Sequence, residues 1–569
     1  MIRLKLFSLC LILIFLGLFA KLFYWQVVKG KDLARQAKGQ YRAGLEITAP
    51  RGSILASDGA YLVARGEAFL IYAEPPKLET SPKDIANRLA PFFVEDPEDK
   101  GEVLVEVERL QGLLERKGSV WVALKQKVSG EVKRNIEALS LPGIGFEQKE
   151  DRIYPEASSA AQLLGFVGKD KEGSDVGYFG LEGFYDLTLK GKSGFVRSEK
   201  DALGNVIPVG ESSETSAIGG IDLVTNIDKT VQFILEERLK EGIERYGAKA
   251  GTAILMNPKT GAVLGIASLP SYDPREYFKY GDEFFKNPAV SSTFEPGSVF
   301  KILVMAAGLD AGVVTPETKC EICTGPLKVD KYSIETWDGK YFPDSTMADV
   351  IKHSDNVGMA FVGQKLGAEA LYDYLDKFGI GRLTEVDLQG EVTPKLRKKE
   401  TWNIVDLATA TFGQGVAVTP IQFIRAAAAI ANDGVMVTPQ VVDKLRIDNW
   451  EEDIKAVTGE RVISAQAADE ITAMMAEAAK NGEAKWTHLR GFKVAGKTGT
   501  AQIPISGHYD AEKTMASFVG FAPYDDPRFI MLVTLTEPQS SPWASETAAP
   551  LWYSVARDLF PYFGIQPEN

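Results

Sequence analysis

The chain has 569 residues, 45% hydrophobic and 25% charged, with a formal net charge of -13. That length leaves room for two or three domains and a large core. The acidic balance gives nucleic-acid binding no electrostatic support and is compatible with an extracytoplasmic enzyme.

Residues 6–25 come first as an apolar run, broken over 6–20 only by Ser8, Cys10 and Gly17. Some twenty helical residues span about 30 Å, the thickness of a bilayer core. Lys21 can snorkel, and Tyr24 and Trp25 suit the outer interface. Phe19 and Lys21 flank Ala20, so no small-x-small cleavage pattern is present. The expectation is an uncleaved signal anchor, with a cleaved signal peptide as the alternative. Arg3 and Lys5 precede the span, but Lys29, Lys31, Arg35, Lys38 and Arg42 follow it. A Lys/Arg count therefore does not favour an outside C-terminus.

Residues 27–41 read as a helix leaving the membrane. Residues 43–220 mix short strands, helices such as 82–93, and turn-rich joins. The stretch 210–220, with Ser212, Ser213, Glu214 and Gly219-Gly220, reads as a linker. A catalytic domain then begins near Ile221. Helical periodicity over 228–245 carries Val231, Ile234, Leu235 and Leu239. Strands are expected at 252–256 and 262–268. Between them Lys259-Thr-Gly261, beside Asn257 and Pro258, reads as a hairpin turn.

Ser298 follows Glu295-Pro-Gly297 and opens an apolar helical pattern running to about Leu309. Pro-Gly ahead of such a run marks a helix entry. Ser298 is thus expected in the first turn, where the helix dipole favours negative charge on its oxygen. Lys301 lies three residues on, on the same face. Its neighbours Val299, Phe300 and Ile302 are apolar, and a desolvated lysine loses its proton more readily. A neutral Lys301 could then take the Ser298 proton. Taken alone, Ser-x-x-Lys fits a surface helix equally well. Cys320 and Cys323 could pair in an oxidising compartment or sit in a plain structural loop. Zinc would need two more ligands.

Ser354-Asp-Asn356 precedes a helical stretch at 357–366. Ser354 can relay a proton, and the Asn356 amide can hold substrate and Lys301. The same three residue types are also preferred helix N-caps, which remains the alternative. Lys497-Thr-Gly-Thr500 falls in an expected strand at 493–502. Gly499 would let a ligand backbone approach. Lys497 offers charge to a carboxylate, and Thr498 and Thr500 offer hydroxyl donors. The backbone N–H groups of Ser298 and Thr500 are candidate oxyanion donors. Strands at 515–521 and 528–536 turn through Pro523-Tyr-Asp-Asp-Pro527, and a helix at 543–559 closes the chain. Helices at both ends of one antiparallel sheet give a layered α/β arrangement that sets the Lys497 strand beside the Ser298 helix. There are no tandem repeats, and no appended C-terminal module is expected.

Each motif is cheap alone; the three in order, widely spaced, are the set of serine acyl-transferases that react with penicillin. With them the chain resembles the class B penicillin-binding proteins, membrane-anchored transpeptidases that cross-link peptidoglycan. Phe412-Gly-Gln-Gly415 and Thr419-Pro-Ile-Gln422 look like the family's segment between its second and third motifs. Arg51-Gly-Ser-Ile54, Arg152-Ile-Tyr-Pro155 and Gly180-Leu-Glu-Gly183 resemble signatures of its non-catalytic pedestal. Ala56-Ser-Asp-Gly59 departs from the family's Asp-Arg-x-Gly. Phe294-Glu-Pro-Gly-Ser298 and Ser354-Asp-Asn-Val-Gly358 look more like the cell-division branch than the elongation branch.

The resemblance implies three parts: a short cytoplasmic tail and anchor (1–25), an elongated α+β pedestal or dimerisation-type domain (26–220), and a transpeptidase domain with a central antiparallel five-stranded sheet (221–569). It implies catalysis by Ser298, Lys301, Ser354, Asn356 and Lys497. Thr498, Gly499 and Thr500 would bind substrate, with no metal or cofactor. It places the catalytic domain outside the membrane. The implied partners are stem peptides, β-lactams, the membrane, a polytopic lipid II glycosyltransferase and other division or elongation proteins. A carboxypeptidase or β-lactamase is the nearest rival, and Glu400-Thr-Trp-Asn403 lies in the interval where a hydrolytic glutamate would sit. A catalytically dead scaffold is another. A bifunctional glycosyltransferase is excluded, because that family's motif includes a histidine and His353, His488 and His508 all lie after residue 350.

Overall fold

The computed structural model describes residues 2–31, 33, 42–199, 212–505 and 508–568. The apolar run forms a helix, Ile2–Phe23, continued by a wider π-turn at Tyr24–Val28. The stretch Leu6–Val28 is long and apolar enough to cross a membrane, and none of it is buried in the protein. Of the helix expected over 27–41, residues 30, 31 and 33 are helical, and 32 and 34–41 lie outside the described residues.

Two compact units follow from the backbone contacts, one made of Met1–Gly52 with Lys190–Gly220, the other of Ser53–Leu189 with Ile221–Asn569. Strands Arg42–Ile47, Gly194–Glu199 and Ser212–Thr215 of the first unit form a three-stranded antiparallel sheet in that order. The reading of 210–220 as a linker is therefore corrected. Ser212–Thr215 spends its backbone groups on Phe195–Ser198, and strand pairing of this kind needs no apolar side chain. Residues 210 and 211 lie outside the described residues.

The second unit holds a seven-stranded sheet and a five-stranded one. In the seven-stranded sheet, Ile54–Leu55 lies between Tyr61–Ala73 and the parallel strand Asp222–Thr225. A hairpin from far along the chain, Val442–Ile447 with Trp450–Asp453, extends that sheet beside Asp222–Thr225. Two of the pedestal signatures meet here. Arg152 donates to Glu182 Oε1 from Nε (2.8 Å) and Nη2 (2.5 Å), with both side chains buried.

The five-stranded sheet is antiparallel throughout, in the order Val263–Leu269, Ala250–Met256, Phe529–Thr536, His508–Ala522, Ala495–Ile505. Successive strand residues point to opposite faces, so this sheet separates two cores. Ile254 and Met256 join Leu303, Met305 and Ile424 on one face. Ala253 and Leu255 join Leu235, Leu239, Trp552 and Leu559 on the other. The second core is roofed by the helices Lys229–Tyr246 and Ala548–Tyr562. Asp228 caps the first of these, accepting from the N–H groups of Thr230 (2.9 Å) and Val231 (3.1 Å). The last helix begins at Ala548 rather than 543, because Ser541 to Thr547 is a turn-rich approach that includes Pro542. Lys259-Thr-Gly261 is the expected hairpin turn, with Lys259 ion-paired to Asp526. Cys320 and Cys323 form a disulfide, both side chains buried.

Candidate active site

Ser298 stands in a 3-10 turn, Gly297–Phe300, which leads into the α-helix Lys301–Asp310. It is thus one turn ahead of the α-helix rather than in its first turn. The reason lies at Gly297, whose φ of +60° belongs to the left-handed region open to glycine. The Gly297 N–H donates to Gly413 O at 3.1 Å, so Phe412-Gly-Gln-Gly415 holds the turn from behind. Every residue from Lys301 to Leu309 is buried. The helix threads the core, and Lys301 goes with it.

A fully buried lysine must spend its N–H groups inside the protein. Lys301 Nζ donates to Ser354 O at 2.6 Å and to Asn356 Oδ1 at 2.8 Å, with Ser354 Oγ at 3.2 Å. Burial, helped by the like charge of Lys497, pushes the Lys301 pKa down to about 7; Glu483 and Asp355 pull the other way. Ser354 has φ +55°. A left-handed non-glycine residue is strained and persists only where its surroundings hold it. The holding group is its neighbour. Asp355 Oδ1 accepts from the N–H groups of Val357 (2.8 Å) and Gly358 (3.1 Å), capping the helix Asn356–Lys377. The capping reading of this motif therefore applies to its middle residue, while the outer two turn to Lys301. The Asn356 amide nitrogen donates to Glu335 O at 2.8 Å, fixing which way the side chain faces.

The third motif lies on Ala495–Ile505, an edge strand that starts two residues later than expected. Thr498 and Thr500 point into the cavity with Ser298, and Gly499 does not. A Cβ on Gly499 would lie 2.7 Å from Val299 Cγ1 and 2.9 Å from Val299 N. A close approach at this glycine is therefore made by the turn that carries Ser298, and Ser517 Oγ lies as near, at 2.7 Å. Thr500 Oγ1 accepts from Ala544 N at 2.9 Å, which leaves its own proton to donate. Lys497 is buried, and burial lowers its pKa against the opposing pull of Glu483 at 4.0 Å. Its Nζ lies 3.1 Å from Thr498 Oγ1 and 3.2 Å from Thr498 O.

These residues share one cavity of about 320 Å³, lined by Ser298, Ser354, Asn356, Thr498 and Thr500. Lys301 and Lys497 sit one hydrogen bond behind its wall. Sequence reasoning missed Glu483, which also lines it, and the ring pair Trp337 and Trp543, 5.1 Å apart. No local pattern marks them: Glu483 follows the helix Ala465–Asn481, and the two tryptophans lie more than two hundred residues apart. Glu400 lies in a short 3-10 turn and is not among the cavity residues, while Asn403 caps the next helix. Among the described residues, no group of three or more potential metal ligands occurs.

Residues 251–559 match the model of the penicillin binding protein transpeptidase domain, and residues 46–225 that of the penicillin-binding protein dimerisation domain. The chain is 32% identical to stage V sporulation protein D of Bacillus subtilis over 98% of its length and 85% of the relative's. It is 28% identical to the probable peptidoglycan D,D-transpeptidase PenA of Neisseria meningitidis, covering 99% of this chain and 93% of that one. Among solved structures, penicillin binding protein 2X of Streptococcus thermophilus superposes with a TM-score of 0.74 at 25% identity, over 92% of this chain and 80% of that one. Penicillin binding protein 3 of Mycobacterium tuberculosis, complexed with aztreonam, superposes with a TM-score of 0.70 at 25% identity, over 92% and 98%.

Proposed function

Because this chain belongs to the class B penicillin-binding proteins, we propose that Ser298 is the nucleophile through which it cross-links peptidoglycan and through which β-lactams trap it. The protein is a peptidoglycan D,D-transpeptidase, and its N-terminal apolar helix fits a single-pass membrane anchor. The single observation that carries the serine mechanism is Lys301. It is buried, hydrogen-bonded to Ser354 and Asn356, and pushed down to about 7, where a lysine can act as a base.

In the proposed cycle, neutral Lys301 takes the Ser298 hydroxyl proton. Ser298 Oγ attacks the carbonyl of the penultimate D-Ala of a stem peptide. The oxyanion forms against the backbone N–H groups of Ser298 and Thr500. The C–N bond breaks as the leaving nitrogen is protonated through Ser354 and Lys497, and free D-Ala departs. An amino group of a second stem peptide then attacks the ester, forming the cross-link. Its proton returns to Ser298 by the same relay. Thr498 and Thr500 hold the donor's carboxylate. Gly499 lets the Ser298 turn pack against the strand that carries Thr498 and Thr500.

The proposed organisation is an anchor (1–25) with the N-terminus in the cytoplasm, a pedestal (26–220) and an extracytoplasmic transpeptidase domain (221–569), whose hairpin at 442–453 is bound into the pedestal's sheet. We read the branch as the cell-division one, on Phe294-Glu-Pro-Gly-Ser298 and Ser354-Asp-Asn-Val-Gly358. The proposed partners are a polytopic lipid II glycosyltransferase and other members of a wall-synthesis complex. The test is fluorescent-penicillin labelling of the full chain in detergent, wild type beside Ser298→Ala. A band in wild type alone, stable for an hour, is expected. Rapid release of the label would favour a hydrolase; no band from folded wild type would favour a scaffold.

A further inference from the structure

Glu483 puts a carboxylate where a donor's carboxylate is read to bind. Thr498 Oγ1 donates to Glu483 Oε2 at 2.5 Å, and Lys497 Nζ lies 4.0 Å from the same oxygen. A threonine hydroxyl has one proton, so while Glu483 holds it, Thr498 has none to offer a ligand. Lys497 is buried, so its charge is little screened, and Glu483 is the carboxylate that answers it.

The same side chain also faces a second cavity of about 200 Å³, lined by Lys340, Lys352 and Lys485 and by Asp338 and Asp355. Lys352 already pairs with Asp349 at 2.8 Å and Lys340 with Asp338 at 3.1 Å. Among the described residues Lys485 has no carboxylate partner. A displaced Glu483 therefore has a space to enter and, in Lys485, a cation to face there.

We propose that Glu483 is a built-in occupant of the anion subsite. A donor's carboxylate must displace it from Thr498, and the residue thereby weakens selection for anionic over neutral acyl donors. The inference rests on the reading of Ser298 and the Lys497–Thr500 strand given above. It makes Glu483 a specificity-determining residue of that same site, which neither cavity alone would suggest.

The test uses the full chain in detergent micelles, wild type and Glu483→Gln, with benzylpenicillin and its neutral methyl ester. Glutamine keeps the shape and the acceptor oxygen and removes the charge. The second-order acylation rate for the acid, divided by that for the ester, is expected to rise at least about tenfold (~1.4 kcal/mol); the ratio cancels the change that both substrates share through Lys301, whose pKa Glu483 also raises. An unchanged or lower ratio overturns the proposal and leaves Glu483 as a structural partner of Lys497. A second measurement does not need acylation. In Ser298→Ala protein, the calorimetric Kd for benzylpenicillin should tighten about tenfold when Glu483→Gln is added, and an unchanged or weaker Kd overturns the proposal. Absence of any acylation in wild type would sink the Ser298 reading while the Kd comparison still decides on Glu483.

Discussion

Acylation of Ser298 by benzylpenicillin should speed up about tenfold between about pH 6 and about pH 8, because only neutral Lys301 can accept the hydroxyl proton. The magnitude follows from a lysine pushed down to about 7. At that pKa roughly one-tenth of the protein carries a neutral Lys301 at about pH 6, half at about pH 7 and nine-tenths at about pH 8. The sign is fixed by the base role: the active form gains as protons leave, so the rate rises with pH and then levels off. An unperturbed lysine would instead keep rising tenfold per unit to beyond about pH 10. The perturbation to add is Lys497→Met. Like charge from Lys497 is the second cause of the shift after burial, so its removal should move the midpoint to higher pH as well as slowing the reaction. The assay is the pseudo-first-order rate of label incorporation at constant ionic strength, in steps of half a pH unit. A flat profile, or a midpoint that does not move in Lys497→Met, would refute the assignment of Lys301 as the base.

Gly499→Ala should cut acylation at least about a hundredfold, because displacing reacting atoms by about 1 Å costs that much. The added methyl would fall 2.7 Å from Val299 Cγ1, and an accompanying stability loss of about 1–3 kcal/mol is expected in thermal unfolding. Arg152→Ala removes the guanidinium that pairs with the buried Glu182 carboxylate, so a loss of about 3–5 kcal/mol is expected in denaturant unfolding of the pedestal sheet. Lys259→Ala serves as the contrast. Its pair with Asp526 is half-exposed, and a labelling rate within about twofold of wild type is expected, since exposed pairs are worth about 1 kcal/mol or less.

Much of this molecule is legible in the chain because its signals are local. The apolar run before Lys29 needs only its own length to span a bilayer. The strand alternation around Ile254 and the helical period around Leu235 each follow from a few neighbouring residues. The catalytic motifs are similar: Ser298 and Lys301 were legible as a pair on one face because three residues make nearly one helical turn. Ser354 and Asn356 were legible as candidates, but not the division of labour in which Asp355 caps the helix and holds Ser354 in a left-handed conformation. That division depends on where the helix starts to within one residue, which periodicity does not resolve.

What tertiary structure alone decided are the meetings between distant segments. Ser212–Thr215 looks like a linker until Gly194–Glu199 offers it an unpaired edge. The hairpin at 442–453 gives no sign that it will extend a sheet begun at Ile54. Val299 takes up space beside Gly499 that the strand's own sequence does not reveal, and Glu483 meets Thr498 and Lys497 only in the assembled fold. Motif chemistry is carried by residue type and short spacing, so the sequence by itself determined the candidate nucleophile, its candidate base and the class of reaction. Proximity across hundreds of residues is carried by which backbone edges and side-chain faces remain unsatisfied after local structure forms, and only the assembled fold settles that.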